Sequence, residues 1–132
     1  RNGLLSIVLT EYQYAGGAHG STVRTACTFD LKTGARLKLS DLMKPGSGYQ
    51  KDFDSRIRKE IDRRVSAGLL TELSGSAFRT LGDNPEFYLS NGGLVFYFQQ
   101  YAHFPYAAGI QEFRLPYGGI AALKPSYAFP AT

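Results

Sequence analysis

The feature that most constrains this chain is the order in which its periodicities come. Residues 4–14 and 21–31 are rich in β-branched, Leu and Tyr side chains, and a glycine-rich connection at 16–20 separates them. Such runs read as strands, and a connection that short reverses the chain, so the two must pair antiparallel. One helical stretch follows in the middle of the chain, and further strand-like runs close it. Segregated strands and helix define an α+β class: a mostly antiparallel sheet with one main amphipathic helix packed on it and short extra helices.

Within that frame, Thr33 and Gly34 make a tight turn and residues 36–39 return. Ser40 is placed to cap a short turn. In residues 49–67 the apolar positions Phe53, Ile57, Ile61 and Val65 fall four apart among mostly charged neighbours, the pattern of a helix with one wet face. Gly68 is placed to end it. Residues 69–78 are read as a short, less regular helix, 86–90 and 94–100 as strands joined at "NGG", 110–117 as another strand, and 118–125 as a closing helix. Alternation puts Cys27 on one strand face with Val23, Thr25, Phe29 and Leu31, which predicts a small core residue. A single domain over 1–132 accommodates all of this.

The composition narrows the function. The net charge is +4, and the cations concentrate at 56–64, where acids interleave them. That mixture is the solvated side of a helix. The chain has no long Lys/Arg tract and no basic–aromatic recognition signature, so no nucleic-acid partner is expected. Asp52, Asp54, Glu60 and Asp62 lie amid arginines, and intrahelical ion pairs are expected of them. One cysteine and two histidines are too few to complete a zinc shell, and neither a phosphate-binding loop nor a G-x-S-x-G motif is present. No cofactor, no metal and no catalytic residue is expected.

Two loops are left as candidates for function. In "GGAHG", Gly16 and Gly17 permit positive φ, and the ring of His19 is expected to bond the backbone of its own loop. The competing role for His19 is metal ligation or general-base work, which would make the chain a hydrolase acting with His103. In "YAHFPYAAG", His103, Phe104, Pro105 and Tyr106 stand in a row before Gly109. Pro105 stiffens the loop, and large rings offer contact area at low entropic cost. These rings either form a binding surface or fold back as core. A paired-carboxylate hydrolase is the third possibility.

The stretch "YQYAGGAHGSTVRTACTFDLKTGARLKLSDLM" resembles a family of bacterial extracytoplasmic domains of unknown function. Its members occur at the C-terminus of the anti-sigma factor RsiV and in the non-catalytic region before the deacetylase domain of the peptidoglycan deacetylase PdaC. The match rests on Tyr14, residues 16–20, residues 29–34, Leu39, Asp41 and Leu42. A second match, "FYFQQYAHFPYAAGIQEFRLPY", rests on Phe98, Tyr101, residues 105–109, Phe113, Pro116 and Tyr117, with Gln100 where the family carries proline. The resemblance implies an α+β fold, an extracytoplasmic setting and a preceding segment not included before Arg1. It also implies a binding role toward lysozyme or another envelope protein, or toward wall glycan; the two loops are the expected surface for it, with Gly16, Gly17, His19, His103, Phe104, Pro105, Tyr106 and Gly109 as the candidate residues. A membrane contact would come only through other parts of the parent protein, and a structural accessory role beside a deacetylase is the alternative to binding.

Overall fold

The computed structural model describes residues 2–127 and 129. Arg1, Ala128 and residues 130–132, which the single-domain reading includes, lie outside the described residues. Strand β1 (Leu4–Gln13) and strand β2 (Ser21–Asp30) pair antiparallel, in register from Leu4 opposite Asp30 to Gln13 opposite Ser21. The short β3 (Arg36–Leu37) returns along β2. Helix α1 (Tyr49–Ser66) follows, then β4 (Phe87–Leu89), β5 (Gly93–Phe98) and β6 (Gln111–Pro116). The strands form two antiparallel three-stranded sheets, ordered β1-β2-β3 and β4-β5-β6.

The core forms where α1 lies on the second sheet. Phe53, Ile57 and Ile61 are buried in one cluster with Leu94, Phe96, Phe113 and Leu115, and the Phe53 and Phe96 rings are 5.6 Å apart. On β5, Leu94 and Phe96 serve this face, while Val95 and Tyr97 point the other way and are also buried. There Tyr97 meets β2, with the Arg24 guanidinium 5.4 Å from its ring centroid. A strand covered on both faces reads as a continuous apolar run, and "GLVFYF" is such a run. The two sheets are tied where the Leu89 amide donates to Ser6 Oγ at 2.9 Å, while Ser6 Oγ lies 2.6 Å from the hydroxyl of buried Thr28.

Several local expectations change. Val65 is exposed, because the last turn of α1 covers the sheet with Arg64 instead, whose guanidinium lies 4.2 Å over the Phe113 ring. Residues 69–78 form no helix. Leu70 and Phe78 are buried, and between them Glu72 accepts the Phe78 amide at 3.0 Å and Arg58 Nη1 at 3.0 Å. That charged anchor replaces helical hydrogen bonding as the organiser of the segment. The expected closing helix is two single 3-10 turns, Tyr117–Gly119 and Pro125–Tyr127, consistent with the low helix propensity of the paired glycines. Ser40 lies inside the 3-10 turn Leu39–Leu42 and does not cap it; the Asp41 carboxylate accepts the Lys38 amide at 2.8 Å. Asp52, Glu60 and Asp62 pair within the helix as expected. Asp54 instead accepts the Thr80 hydroxyl and the Leu81 amide, at 2.7 and 2.8 Å. Cys27 is half-buried and outside the core. It lines a groove of about 520 Å³ with Arg36, Lys38, Asn84, Glu86 and Tyr97.

Candidate functional site

The β1–β2 connection and the loop after β5 meet. Gly16 and Gly17 have φ of 104° and 90°, which lets the chain reverse between two long strands. Tyr14 reaches across the turn and donates its hydroxyl to Gly17 O at 2.8 Å. His19 Nδ1 lies 3.0 Å from Gly20 O, so the ring is held by its own loop as the sequence leads one to expect. Its flat face stacks on Tyr106, with centroids 3.8 Å apart and planes 18° apart. Tyr101 lies beyond, 5.9 Å from Tyr106 and at 30° to it, with its hydroxyl 3.4 Å from His19 Nε2. Gly17→Val should lower stability by about 1–2 kcal/mol, since φ near 90° is costly for a β-branched residue even with open space around it. An unchanged melting temperature would show that the loop does not depend on that angle.

The second loop seats Tyr106, half-buried, against His19. Pro105 is extended, at φ −64° and ψ 159°, and residues Tyr106–Ala108 make one 3-10 turn. Gly109 then takes φ 68° and ψ −162°, a region that only glycine occupies freely, and redirects the chain into β6. From β6 the Gln111 amide donates back to Ala108 O at 2.7 Å, and Arg64 of α1 donates to Gln111 Oε1 at 3.1 Å. Tyr106 is thereby fixed to the core helix through two side chains. Tyr101 has a positive φ of 68°, an unusual angle for an aromatic residue, and its ring is exposed.

The other candidates divide. Phe104 is 1% exposed and belongs to the core, where it neighbours Phe98 and Phe113, so it cannot meet a ligand. His103 has a separate set of partners from His19. Its Nδ1 lies 2.7 Å from Ser76 O, and its ring packs edge-on against Phe98 and Phe78 at 4.9 and 5.5 Å. Among the described residues no group of three or more His, Cys, Asp or Glu side chains is placed to hold a metal ion. Sequence reasoning passed over Tyr12, Tyr14 and Tyr101, which extend the exposed ring surface at the hairpin tip. It also passed over Gln99 and Gln100. Their side chains accept the Arg24 and Thr22 amides at 3.0 and 2.9 Å, and Gln99 Nε2 donates to Arg24 O at 2.6 Å. Gln100, where the resemblance led one to expect proline, is thus one of the ties between the second loop and β2. The abundance of tyrosine was the available signal for the rings; nothing in the spacing announced the glutamine ties.

A polar cluster lies on the second sheet's other face. Glu112 accepts Arg24 Nη1 at 2.7 Å and the Tyr88 hydroxyl. Burial first, then the Glu112 carboxylate, pushes Tyr88 up to about 12, so it remains a neutral donor across the physiological range.

Two small antiparallel sheets, one main helix and short 3-10 turns make this an α+β fold, with the ring-bearing loops at one meeting point of the two sheets. The chain belongs to the DUF3298 family, described as a protein of unknown function, whose profile matches residues 40–118. That match includes the second loop and leaves the "GGAHG" loop outside it. A 45-residue stretch is 40% identical to the peptidoglycan-N-acetylmuramic acid deacetylase PdaC of Bacillus subtilis, covering 34% of this chain and 10% of that protein. An esterase of Mycobacterium tuberculosis is 26% identical over 122 residues, covering 89% of this chain and 51% of that protein. A DUF3298-family crystal structure from Bacteroides fragilis superposes with a TM-score of 0.73 at 25% identity, covering 96% of this chain and 52% of the other. One from Pseudomonas aeruginosa has the same fold, with a TM-score of 0.68 at 21% identity, and coverage of 95% and 57%. The chain therefore spans about half the length of the relatives it matches along most of its own length, and a tenth of PdaC. Among the described residues no helix is long and apolar enough to cross a membrane.

Proposed function

We propose that this domain is a non-catalytic binding module of the bacterial cell envelope, working outside the cytoplasm, that takes a wall glycan on the surface formed by His19, Tyr101 and Tyr106. The observation that carries this reading is the ring stack joining the two loops. It is held from below by backbone and glutamine hydrogen bonds, and no Lys, Arg, Asp or Glu is part of it. Flat apolar faces with hydroxyls at their rims suit a neutral, hydroxylated chain, which brings apolar C–H faces and hydrogen-bonding groups together. The likeness to a stretch of a peptidoglycan deacetylase supports a wall setting and an accessory place beside a catalytic domain.

The likeness to an esterase favours a second reading, that of a hydrolase. The two histidines weigh against it. Each places Nδ1 at a backbone carbonyl, Gly20 O for His19 and Ser76 O for His103, rather than at an orienting carboxylate. A lysozyme-like protein as ligand is a third reading. At a net charge of +4 the domain repels a basic partner, so such binding would strengthen as salt rises.

Calorimetry with soluble peptidoglycan fragments tests the proposal. Tyr106→Ala should weaken binding by about 2 kcal/mol, roughly 30-fold, with the melting temperature little changed. Undiminished affinity in that variant, or heat only with lysozymes, would remove the glycan reading. Turnover of an ester substrate that is lost in His19→Ala would replace it with the hydrolase.

A further inference from the structure

The groove beside Cys27 holds a buried phenol and two cations whose hydrogen-bonding capacity the fold does not use. Along β2 it opens where the glutamine ties end. Gln100 takes the Thr22 amide and Gln99 the Arg24 amide, and pairing with β3 begins at Thr28. Between them the Ala26 amide turns the same way by the period of two, toward the Tyr97 hydroxyl oxygen. Tyr97 is 2% exposed, and among the described residues no acceptor takes its hydroxyl proton. The hydroxyl is not sealed off; it opens into the groove of about 520 Å³ that Tyr97 lines with Ala26. Burial first, then the Glu86 carboxylate, pushes Tyr97 up to about 12, so it keeps its proton. Buried polar groups are nearly always hydrogen-bonded, and this donor calls for an acceptor within the groove. Arg36 and Lys38 also line the groove, and among the described residues neither is in an ion pair. Glu86 accepts Gln99 Nε2 on Oε1 at 2.9 Å, which fixes the carboxylate and leaves Oε2 to accept from elsewhere. The rest of the wall is partly apolar, with Ala26, Leu37 and Phe87.

We propose that this groove binds the C-terminal end of a short peptide. Arg36 and Lys38 take the terminal carboxylate, the carbonyl of the last amide accepts the Tyr97 proton, and its N–H donates to Glu86 Oε2. A small side chain rests against Ala26, Leu37 and Phe87. Each group on the wall then meets its complement in kind: cations an anion, the phenol an acceptor, the carboxylate a donor. Other ligands satisfy only part of this set. A simple anion would use the cations and leave Glu86 facing like charge, and a neutral sugar would leave both cations unmet. The walls are held without any ligand, by the Gln99 ties to Arg24 and by the Leu89 amide on Ser6 Oγ. The groove shares none of the three rings that form the glycan surface, so the two readings stand or fall separately.

Titration of N-acetyl-dialanine into the 132-residue chain, followed by amide NMR shifts, tests this. Saturable shifts are expected at Ala26, Cys27 and Glu86, with those of Tyr106 unmoved. The same probe with its carboxylate converted to an amide should bind roughly 10-fold more weakly. Tyr97→Phe removes only the hydroxyl and should also weaken binding roughly 10-fold. Arg36→Gln combined with Lys38→Gln changes two exposed side chains, keeps the fold whatever Tyr97→Phe does, and should lower affinity at least as much. The absence of saturable shifts at the groove overturns the proposal. Equal affinity for the acid and the amide probe, or undiminished binding in the double variant, does so too. Inorganic phosphate binding as tightly as the peptide, and equally well in folded Tyr97→Phe, would replace the peptide site with a general anion site.

Discussion

Phe53→Ala is expected to remove about 3–5 kcal/mol of stability. The Phe53 side chain is fully buried at the centre of the α1 face, between the rings of Tyr49 and Phe96, each 5.6 Å away. Truncation takes away the transfer free energy of the ring and leaves a cavity that a helix pinned near its middle and at its C-terminal end cannot readily close. The helix is pinned by Arg56 Nη2 donating to Gly119 O at 2.6 Å and by Arg64 Nη2 donating to Glu112 O at 2.9 Å. A domain of this size is stable by about 5–15 kcal/mol, so the variant loses a large share of the whole. Urea unfolding monitored by tyrosine fluorescence measures it. A loss below about 1 kcal/mol would mean that α1 does not seat on the second sheet as described. The consequence reaches the candidate site, because Arg64 on the same helix holds Gln111, and Gln111 holds the turn that carries Tyr106.

Local rules carried much of this fold. The β1–β2 hairpin, the positive φ of Gly16 and Gly17, the reach of α1 and the strands on either side of "NGG" follow from periodicity and turn chemistry, which act over a few residues. Long-range contacts decided the remainder. Gln99 and Gln100 tie the two sheets together by meeting β2 with side-chain amides, a contact spanning 75 residues or more that no period encodes. Val65 continues the four-residue stripe, yet Arg64 covers Phe113, since a long aliphatic stem with a planar head can lie on a ring as well as a valine can. The two loops were legible as unusual stretches. That His19 would stack on Tyr106, and that Phe104 would turn inward beside it, depended on a loop geometry fixed by Gln111 and Gly109 together.

Glu72→Gln should cost about 2–3 kcal/mol near neutral pH, more than its position in an irregular segment suggests. The Glu72 carboxylate accepts from both terminal nitrogens of Arg58 and from the Phe78 amide. Its side chain is 18% exposed, so water offers little compensation. An amide can receive only part of that set, and its own N–H groups would face a guanidinium that has no acceptor to give. The same contacts make the domain acid-sensitive. The Arg58 hydrogen bonds, then the Phe78 amide, hold Glu72 below the usual glutamate range, and Arg63 and then Arg64 hold Glu60 down to about 2. A carboxylate whose folded value is depressed stabilises the fold fully above its unfolded value, near 4.3, and loses that contribution as pH falls through the folded value. Stability should therefore decline from about pH 4.5 downward, continuing toward pH 2 as Glu60 protonates. In Glu72→Gln one of these titrations is gone, so its deficit relative to the wild type should shrink as the pH drops. Urea melts across that range decide the matter, and a deficit that stays constant would show that the charge of Glu72 contributes nothing. The effect should also be felt at the second loop, because the neighbouring Leu73 amide donates to His103 O at 2.8 Å and Ser76 O holds the His103 ring. Loosening this anchor frees the stretch that leads to Pro105 and Tyr106, so the variant should expose the His103 ring to solvent before the domain unfolds.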